Sequence, residues 1–463
     1  MVTLGVLTAF ACGSEDDKKR VPRPNYSGAG EAGAAQDGGG GSMGGAADEL
    51  AAGAGAGGEL AIAGGAGMPS SSGGQAGEPG AAGGVGGGTA GAPGIECDAG
   101  TADCDDDPRD CETNTATDVN NCGRCERSCG ATAACSAGLC AATDVLNPSG
   151  TSNYCGAAAS GTTLYAITCW GNNYSEVRSV ALEPGADVLG TQVKLYSGAT
   201  AVPLGALRGI LIDGDDVLFG LQESPSHIYK FPLNADGPED VTVAYTFEDQ
   251  VRFDDLKLIG DTFYFNSNTH TAAGQIMPST IKMRAKSGVS TTTLVSGLGL
   301  SYNLQVFATN LFWLEQRTAQ SVLSVYRAPL AGAAVADVEL ISAAAPGGYM
   351  TRRGDYVYWT HKVASPNGKV RRLKADATAA EVEDVATGLA LPEGLITDEQ
   401  YAYFKQLDAL YRVPLSGGPA EQLSPAVPAH DAQATAIYYI DDKYVYFSAG
   451  SSSGASNIMR VAK

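Results

Sequence analysis

The chain predicts an all-β fold, a seven-bladed β-propeller of four-stranded blades. Three observations predict it: a recurring aromatic strand, a period of 43 to 53 residues between its copies, and the lack of any stretch that reads as a helix. The copies are centred on Leu164-Tyr165-Ala166, Val217-Leu218-Phe219, Phe263-Tyr264-Phe265, Leu311-Phe312-Trp313, Val357-Tyr358-Trp359, Ala402-Tyr403-Phe404 and Val445-Tyr446-Phe447. Self-similarity at 40 to 50 residues is the mark of a propeller or another repeat array. The runs are too short, and too rich in β-branched and aromatic residues, to be helices.

Each period reads as four strands. An apolar stretch such as Gly209-Ile210-Leu211-Ile212 comes first, followed by an Asp- or Gly-rich turn such as Gly354-Asp355 or Asp441-Asp442. The aromatic strand is next, then a strand of mixed basic and apolar residues (228–233, 281–285, 325–330, 370–373, 410–415, 458–461), then a Thr/Val-rich one. Four short strands with turn signals between them make one blade. The aromatic strand does not alternate: Tyr356-Val357-Tyr358-Trp359 is apolar on both faces. A strand with one wet face alternates, so this one is covered on both sides, as in blades stacked face to face. The last period holds only three strands. An open ring would expose a sheet edge, so residues 143–147 are expected to pair there as the missing outer strand.

Ahead of the array, 142–463, lie three segments of different composition. The chain carries 61 glycines in 463 residues, and residues 28–94 are a Gly/Ala/Ser tract without an aromatic residue. Such a tract has too little apolar surface to offset its ordering entropy, so 13–95 reads as a disordered tether. A Gly-rich chain of this length reaches about 45 Å on average. Residues 96–141 hold Cys97, Cys104, Cys111, Cys122, Cys125, Cys129, Cys135 and Cys140. Eight clustered cysteines read as disulfide staples for a segment with little core. Their connectivity stays open, because eight cysteines allow 105 pairings. Cys155 and Cys169 fall on the first two strands of the first blade and are expected to bridge. Two metal readings compete with this. Half a zinc site at Cys122-x2-Cys125 is disfavoured, since the segment has no His. Asp103, Asp105, Asp106, Asp107 and Asp110 offer carboxylates for Ca²⁺, against a solvated acidic turn broken by Pro108. No metal site and no cofactor is assigned.

The apolar run 2–11 ends at Ala11-Cys12-Gly13-Ser14. It resembles a bacterial lipoprotein signal, which implies cleavage before Cys12, lipidation of that residue and an exported protein anchored by lipid at the outer membrane or cell surface. Ala9 stands where that pattern prefers Leu. Asp118-Val119-Asn120-Asn121-Cys122-Gly123-Arg124-Cys125, after Cys111-Glu112-Thr113, resembles the cysteine-rich repeat of myxobacterial surface proteins. That family implies an extracellular address and no activity. Tyr358-Trp359-Thr360 resembles YWTD-type and NHL-like bacterial propellers, with His361 where the motif has Asp. Those domains mostly bind proteins or glycans, and some bacterial relatives are lyases.

Formal net charge is −21 and the longest basic cluster is Lys18-Lys19-Arg20, which excludes a nucleic-acid partner. Propellers bind at the face carrying the fourth-to-first and second-to-third connections. Arg208, Asp255, Asn303, Tyr349, Glu393, His430 and Asp431 map there, at or beside the starts of first strands, and are the candidate ligand-binding residues. His227, His270 and His361 map to the same face, further out. The expected protein is a monomeric, surface-tethered lipoprotein whose propeller binds or scaffolds an extracellular or periplasmic protein or glycan. The alternative is an exported lyase or hydrolase using His and Glu on that face. No HExxH, GxSxG or phosphate loop is present, and no catalytic residue is assigned.

Overall fold

The computed structural model describes residues 97–463, apart from 106–110, 148–152, 171–174, 183–190, 199–208, 222–225, 248–252, 268–277, 318–322, 335–336, 344–348, 428–435 and 451–455. Cys12, the tether, Arg208, His270, His430 and Asp431 fall outside the described residues, as do the side chains of Cys155 and Cys169. The described chain is β-sheet and loop. It has no α-helix, and Pro238–Asp240 and Ala379–Glu381 are single 3-10 turns.

The architecture is propeller-like, a succession of four-stranded antiparallel sheets that each follow the chain in order. Five stand alone. In the 350–389 sheet, for example, Met350–Arg353 pairs with Tyr356–His361, which pairs with Gly368–Lys374, which pairs with Glu383–Leu389. The sixth assembly has eight strands and joins the two ends of the array. In it, Asn153–Ser160 opens a meander that runs through Thr163–Trp170 and Ser175–Ala181 to Val193–Gly198. It meets Ile437–Ile440, Tyr444–Gly450 and Ser456–Ala462 through one parallel pair, Ser456 with Asn153. Thr143–Leu146 pairs antiparallel with Ser456–Ala462, as expected for the missing outer strand. Cys155 and Cys169 lie on the adjacent strands Asn153–Ser160 and Thr163–Trp170.

The first strand of each sheet lies against the first strand of the next. The order runs from Asn153–Ser160 through Ile210–Asp213, Phe253–Ile259, Leu300–Val306, Met350–Arg353 and Glu393–Thr397 to Ile437–Ile440, which returns to Asn153–Ser160. The aromatic strands are second in every sheet and are buried on both faces. Val357, Trp359 and Thr360 of Tyr356–His361 are fully buried, and so are Tyr403 and Phe404 of Tyr401–Gln406. Their side chains fill the layers between sheets: Trp359 packs with Phe312 and Leu314 of the preceding sheet, and Phe404 with Tyr358. Close approach here requires glycine, as at Gly220. A Cβ on Gly220 would stand 2.7 Å from the Phe253 ring of the next sheet.

The Asp-rich turn between first and second strands has a repeated job. Asp441 Oδ1 accepts the N–H groups of Lys443 and Tyr444 at 2.7 and 2.6 Å, and its Oδ2 accepts the Tyr446 hydroxyl at 2.7 Å. Asp398 does the same for Gln400, Tyr401 and Tyr403 at 2.9, 2.8 and 2.9 Å. One carboxylate thus closes the turn and ties down the aromatic strand leaving it.

Residues 97–140 are stapled by four disulfides, Cys97–Cys111, Cys104–Cys125, Cys122–Cys135 and Cys129–Cys140. Cys122 and Cys125 therefore belong to different bridges, which removes the zinc reading. Asp103, Asp105 and Glu112 gather their carboxylates within 4.8 Å of one another. Two of them cap local backbone: Glu112 accepts the Cys104 N–H and Asp103 that of Asp105.

Truncating Trp359 to Ala empties an enclosed interlayer volume and is expected to cost about 3–5 kcal/mol, read by chemical denaturation. Asp441→Ala removes three hydrogen bonds and is expected to cost about 1–3 kcal/mol in the same assay.

Candidate functional site

Four of the seven residues expected at the face where the first strands begin are described. Two of them, Asp255 and Glu393, reach a neighbouring sheet. Asp255 Oδ2 accepts the Leu304 N–H of the next sheet at 3.2 Å. Asn303 takes a left-handed conformation with φ 55°, and its carbonyl accepts from Gln305 Nε2 at 3.5 Å; the same amide reaches Met350 O one sheet on, at 3.2 Å. Tyr349 exchanges backbone bonds with Thr360: its N–H donates to Oγ1 at 3.0 Å and its carbonyl accepts the Thr360 N–H at 3.1 Å. Glu393 forms an ion pair with Lys362 of the preceding sheet. Asp255 and Glu393 therefore clip neighbouring sheets together at this end of the array, while these bonds of Asn303 and Tyr349 stay within their own sheets.

The described histidines stand apart from that ring. His227 Nδ1 lies 3.1 Å from Thr246 Oγ1 on the outer strand of its own sheet. His361 sits near Lys369, Arg371 and Asp384; burial, then Arg371 and Lys369, lower its pKa, and Asp384 only partly opposes them. A second lysine at this end, Lys405, is buried and donates to Ser448 O of the next sheet at 3.3 Å; burial lowers its pKa.

The other end carries a feature that sequence reasoning passed over. In two of the sheets the third strand places an Arg, Arg327 or Arg372, opposite the aromatic strand, and that Arg joins three elements. Arg372 pairs with Glu383 of its own outer strand at 2.6 Å, lies 5.1 Å from the centre of the Tyr356 ring, and donates to Leu415 O of the next sheet at 2.6 Å. Arg327 repeats this with Glu339 and with the carbonyls of Ala375 and Ala377. Ala375 and Leu415 are equivalent: each directly follows its third strand and lies five residues after a fully buried residue of it, Val370 and Leu410. The next position in the series is Lys463, five after Ile458. Arg412 pairs with Glu421 at 2.6 Å and stacks over Tyr401. The bond to Lys463 O, however, comes from the disulfide-rich segment: Arg124 Nη2 donates to it at 2.9 Å, and Arg124 Nη1 lies 3.6 Å from Glu421. Arg124 thus completes the latch at the last interface.

Arg127 secures the same contact from within. Its Nη2 donates to Leu423 O at 2.8 Å and to Ala462 O at 3.1 Å, on the last two sheets, while Nη1 reaches Cys122 O and Gly138 O of its own segment. Burial, then the neighbouring Arg124, brings its pKa down to about 10. Arg124 itself is lowered by burial and by Arg412. Both arginines lie in or beside the string 118–125. The available signal was basic residues in an acidic segment, Arg124 and Arg127 among only three.

Between this segment and the turns of the last two sheets lies a cavity of about 1070 Å³. Arg124, Arg127, Arg412, Lys443 and Lys463 line it, with Glu126, Asp398 and Asp442 as the carboxylates and Tyr401, Tyr403 and Tyr444 as the rings. Lys463 Nζ donates to Asp398 Oδ2 at 2.9 Å.

The fold and its two faces define a propeller-like β protein with a docked disulfide module. No protein-family model matches the chain, and no curated protein matches it. Solved structures do. The computationally designed Ika8 protein matches with TM-score 0.42 at 11% identity, over 69% of this chain and 99% of that one. A prolyl endopeptidase matches with TM-score 0.44 at 14% identity over 68% of this chain, which spans 50% of that protein. BamB from Moraxella catarrhalis matches with TM-score 0.37 at 13% identity, over 65% of this chain and 80% of that one.

Acid should act on the turn carboxylate Asp398. Burial works against ionisation of Asp398, but Lys463, the N–H groups of Gln400 and Tyr401, and the Tyr403 hydroxyl outweigh it and lower its pKa from 3.8. A depressed carboxylate binds fewer protons folded than unfolded, so its stabilisation is full above about pH 4–5 and is lost as pH falls through the folded value. Stability measured by denaturant titration should therefore drop below about pH 4, and Asp398→Asn should flatten that drop. Arg127→Ala leaves buried carbonyls unpaired and should cost about 2–3 kcal/mol, whereas Arg124→Ala, 43% exposed, should cost under about 1 kcal/mol in the same assay.

Proposed function

We propose that this protein is an exported binding or scaffolding module. It is a seven-bladed propeller, stapled at its closing interface by a disulfide-rich module and carried on a Gly/Ala tether from a lipid on Cys12. The unbroken cycle of first strands, in which Ile437–Ile440 returns to Asn153–Ser160, supports seven blades. Four disulfides suit an oxidising, extracytoplasmic setting.

One observation carries the choice of binder over catalyst. Glu393, the carboxylate that acid–base chemistry at the upper mouth requires, is ion-paired with Lys362. Asp255, the other described candidate acid, is a backbone acceptor for Leu304. A general base must reach a substrate proton, and carboxylates committed to neighbouring sheets do not offer that. The partner is a protein or glycan of the envelope or its surroundings, held by polar groups on a rigid rim.

Two experiments test this. Protease treatment of intact cells should release the propeller with its disulfide module into the medium, and metabolic labelling with a fatty acid should mark the chain but not a Cys12→Ser variant. A glycan array and a pull-down with the secreted chain should return a ligand whose capture persists in Glu393→Gln. Turnover of a captured ligand that is abolished by Glu393→Gln would reverse the assignment to a catalyst.

A further inference from the structure

We propose that the cavity between the disulfide module and the last two sheets is a second binding site, at the opposite end from the candidate rim, and that it takes an anionic saccharide. The proposal extends the binding reading but does not depend on a ligand at the upper mouth.

Charge is the first argument. In a chain of formal charge −21, five cationic side chains converge on one cavity. Their local compensation is incomplete. Arg124, Arg127 and Arg412 stand close enough that Arg124 lowers the pKa of Arg127 and Arg412 lowers that of Arg124, and the three share one nearby carboxylate, Glu421. Arg412 holds that carboxylate at 2.6 Å, which leaves Arg124 at 3.6 Å. Lys443 is exposed and has no ion pair among the described residues. Lys463 is matched by Asp398, which already closes a turn. The cavity therefore gains when an oxyanion enters, and guanidinium groups meet carboxylate or phosphate oxygens in matching geometry.

The rest of the lining narrows the class. Glu126 and Asp442 flank the cations. A peptide of successive acidic residues would bring its charges against these two carboxylates. An acidic sugar such as a uronate bears one oxyanion per ring with several hydroxyls, so it would meet Arg124 and Lys443 and donate to the carboxylates at once. Ser128 and Gln400 add neutral polar partners, and Tyr401 and Tyr444 add ring surface of the amphipathic kind that saccharides meet well. A volume of about 1070 Å³ sits at the top of the range for ligand pockets, which fits more than one ring. The site is also built from two parts: without the module the cavity has one wall, so docking through Arg124 and Arg127 assembles it.

The test is calorimetric titration of the full chain at low salt with trigalacturonate, with its methyl ester, which keeps the skeleton and removes the charge, with triglutamate and with inorganic phosphate. Trigalacturonate should bind, and the methyl ester and triglutamate should each bind at least tenfold more weakly. Phosphate binding that competes with trigalacturonate supports the oxyanion pocket. Lys443→Glu, at an exposed position, should weaken trigalacturonate at least tenfold while leaving thermal unfolding unchanged, and Lys257→Glu on the strand Phe253–Ile259 should change neither. Raised salt should weaken binding in step with charge screening. The proposal is overturned if trigalacturonate does not bind, if the ester or triglutamate binds as well, or if Lys443→Glu binds as the parent does. None of these results bears on the envelope ligand of the upper rim.

Discussion

Burial of the aromatic strands on both faces is the constraint from which the remaining structure follows. A strand such as Tyr356–His361 has no polar side to show to water, so sheets must lie on either side of it. An array of such sheets is stable only if every sheet, including the first and last, has a neighbour. The chain meets that demand at its ends with two devices: Thr143–Leu146 supplies the outer strand to Ser456–Ala462, and Asn153 pairs with Ser456 across the join. Apolar packing fills the layers but does not prescribe their order. The arginine latches of Arg327 and Arg372 add a polar tie across two of the interfaces, each joining a carboxylate on its own sheet to a carbonyl just past the next third strand.

The disulfide module gains its meaning from that series. It has almost no apolar core of its own, and its most specific string, 118–125, reads by resemblance as an address label. In the folded protein the same string presents Arg124 to Lys463 O at the interface of the last two sheets, beside the carboxylate Glu421. Arg127, two residues past the string, adds bonds to both closing sheets. A small stapled segment can do this because its disulfides hold the arginines in place before contact, so less entropy is lost on docking. The segment joins the closing interface and makes one wall of the cavity there.

Much of the fold was legible in the chain, and the reason is local. Aromatic runs, Asp turns and basic third strands each report on their own few residues, and the spacing between copies reports on the whole array. Asp441 reads as a turn residue and is one. Of the candidate residues, Tyr349 and Glu393 stand at the start of a first strand, Asp255 two residues into one and Asn303 in the middle of one. Their chemistry was not legible. Whether Glu393 faces solvent or Lys362 depends on a residue 31 positions earlier in another sheet. Arg124 was harder still: its acceptor lies 339 residues away, and nothing near position 124 reports on position 463.

The amino-acid order alone determined that this is a repeat of short strands, buried on both faces, behind a cysteine cluster and a glycine tract. Those properties follow from periodicity and composition, which need no partner to be read. Tertiary structure decided which of the 105 disulfide pairings forms, which polar groups become clips, and where cations gather into a cavity. These outcomes depend on distances between residues far apart in the chain, and folding brings those residues together only once the sheets have stacked.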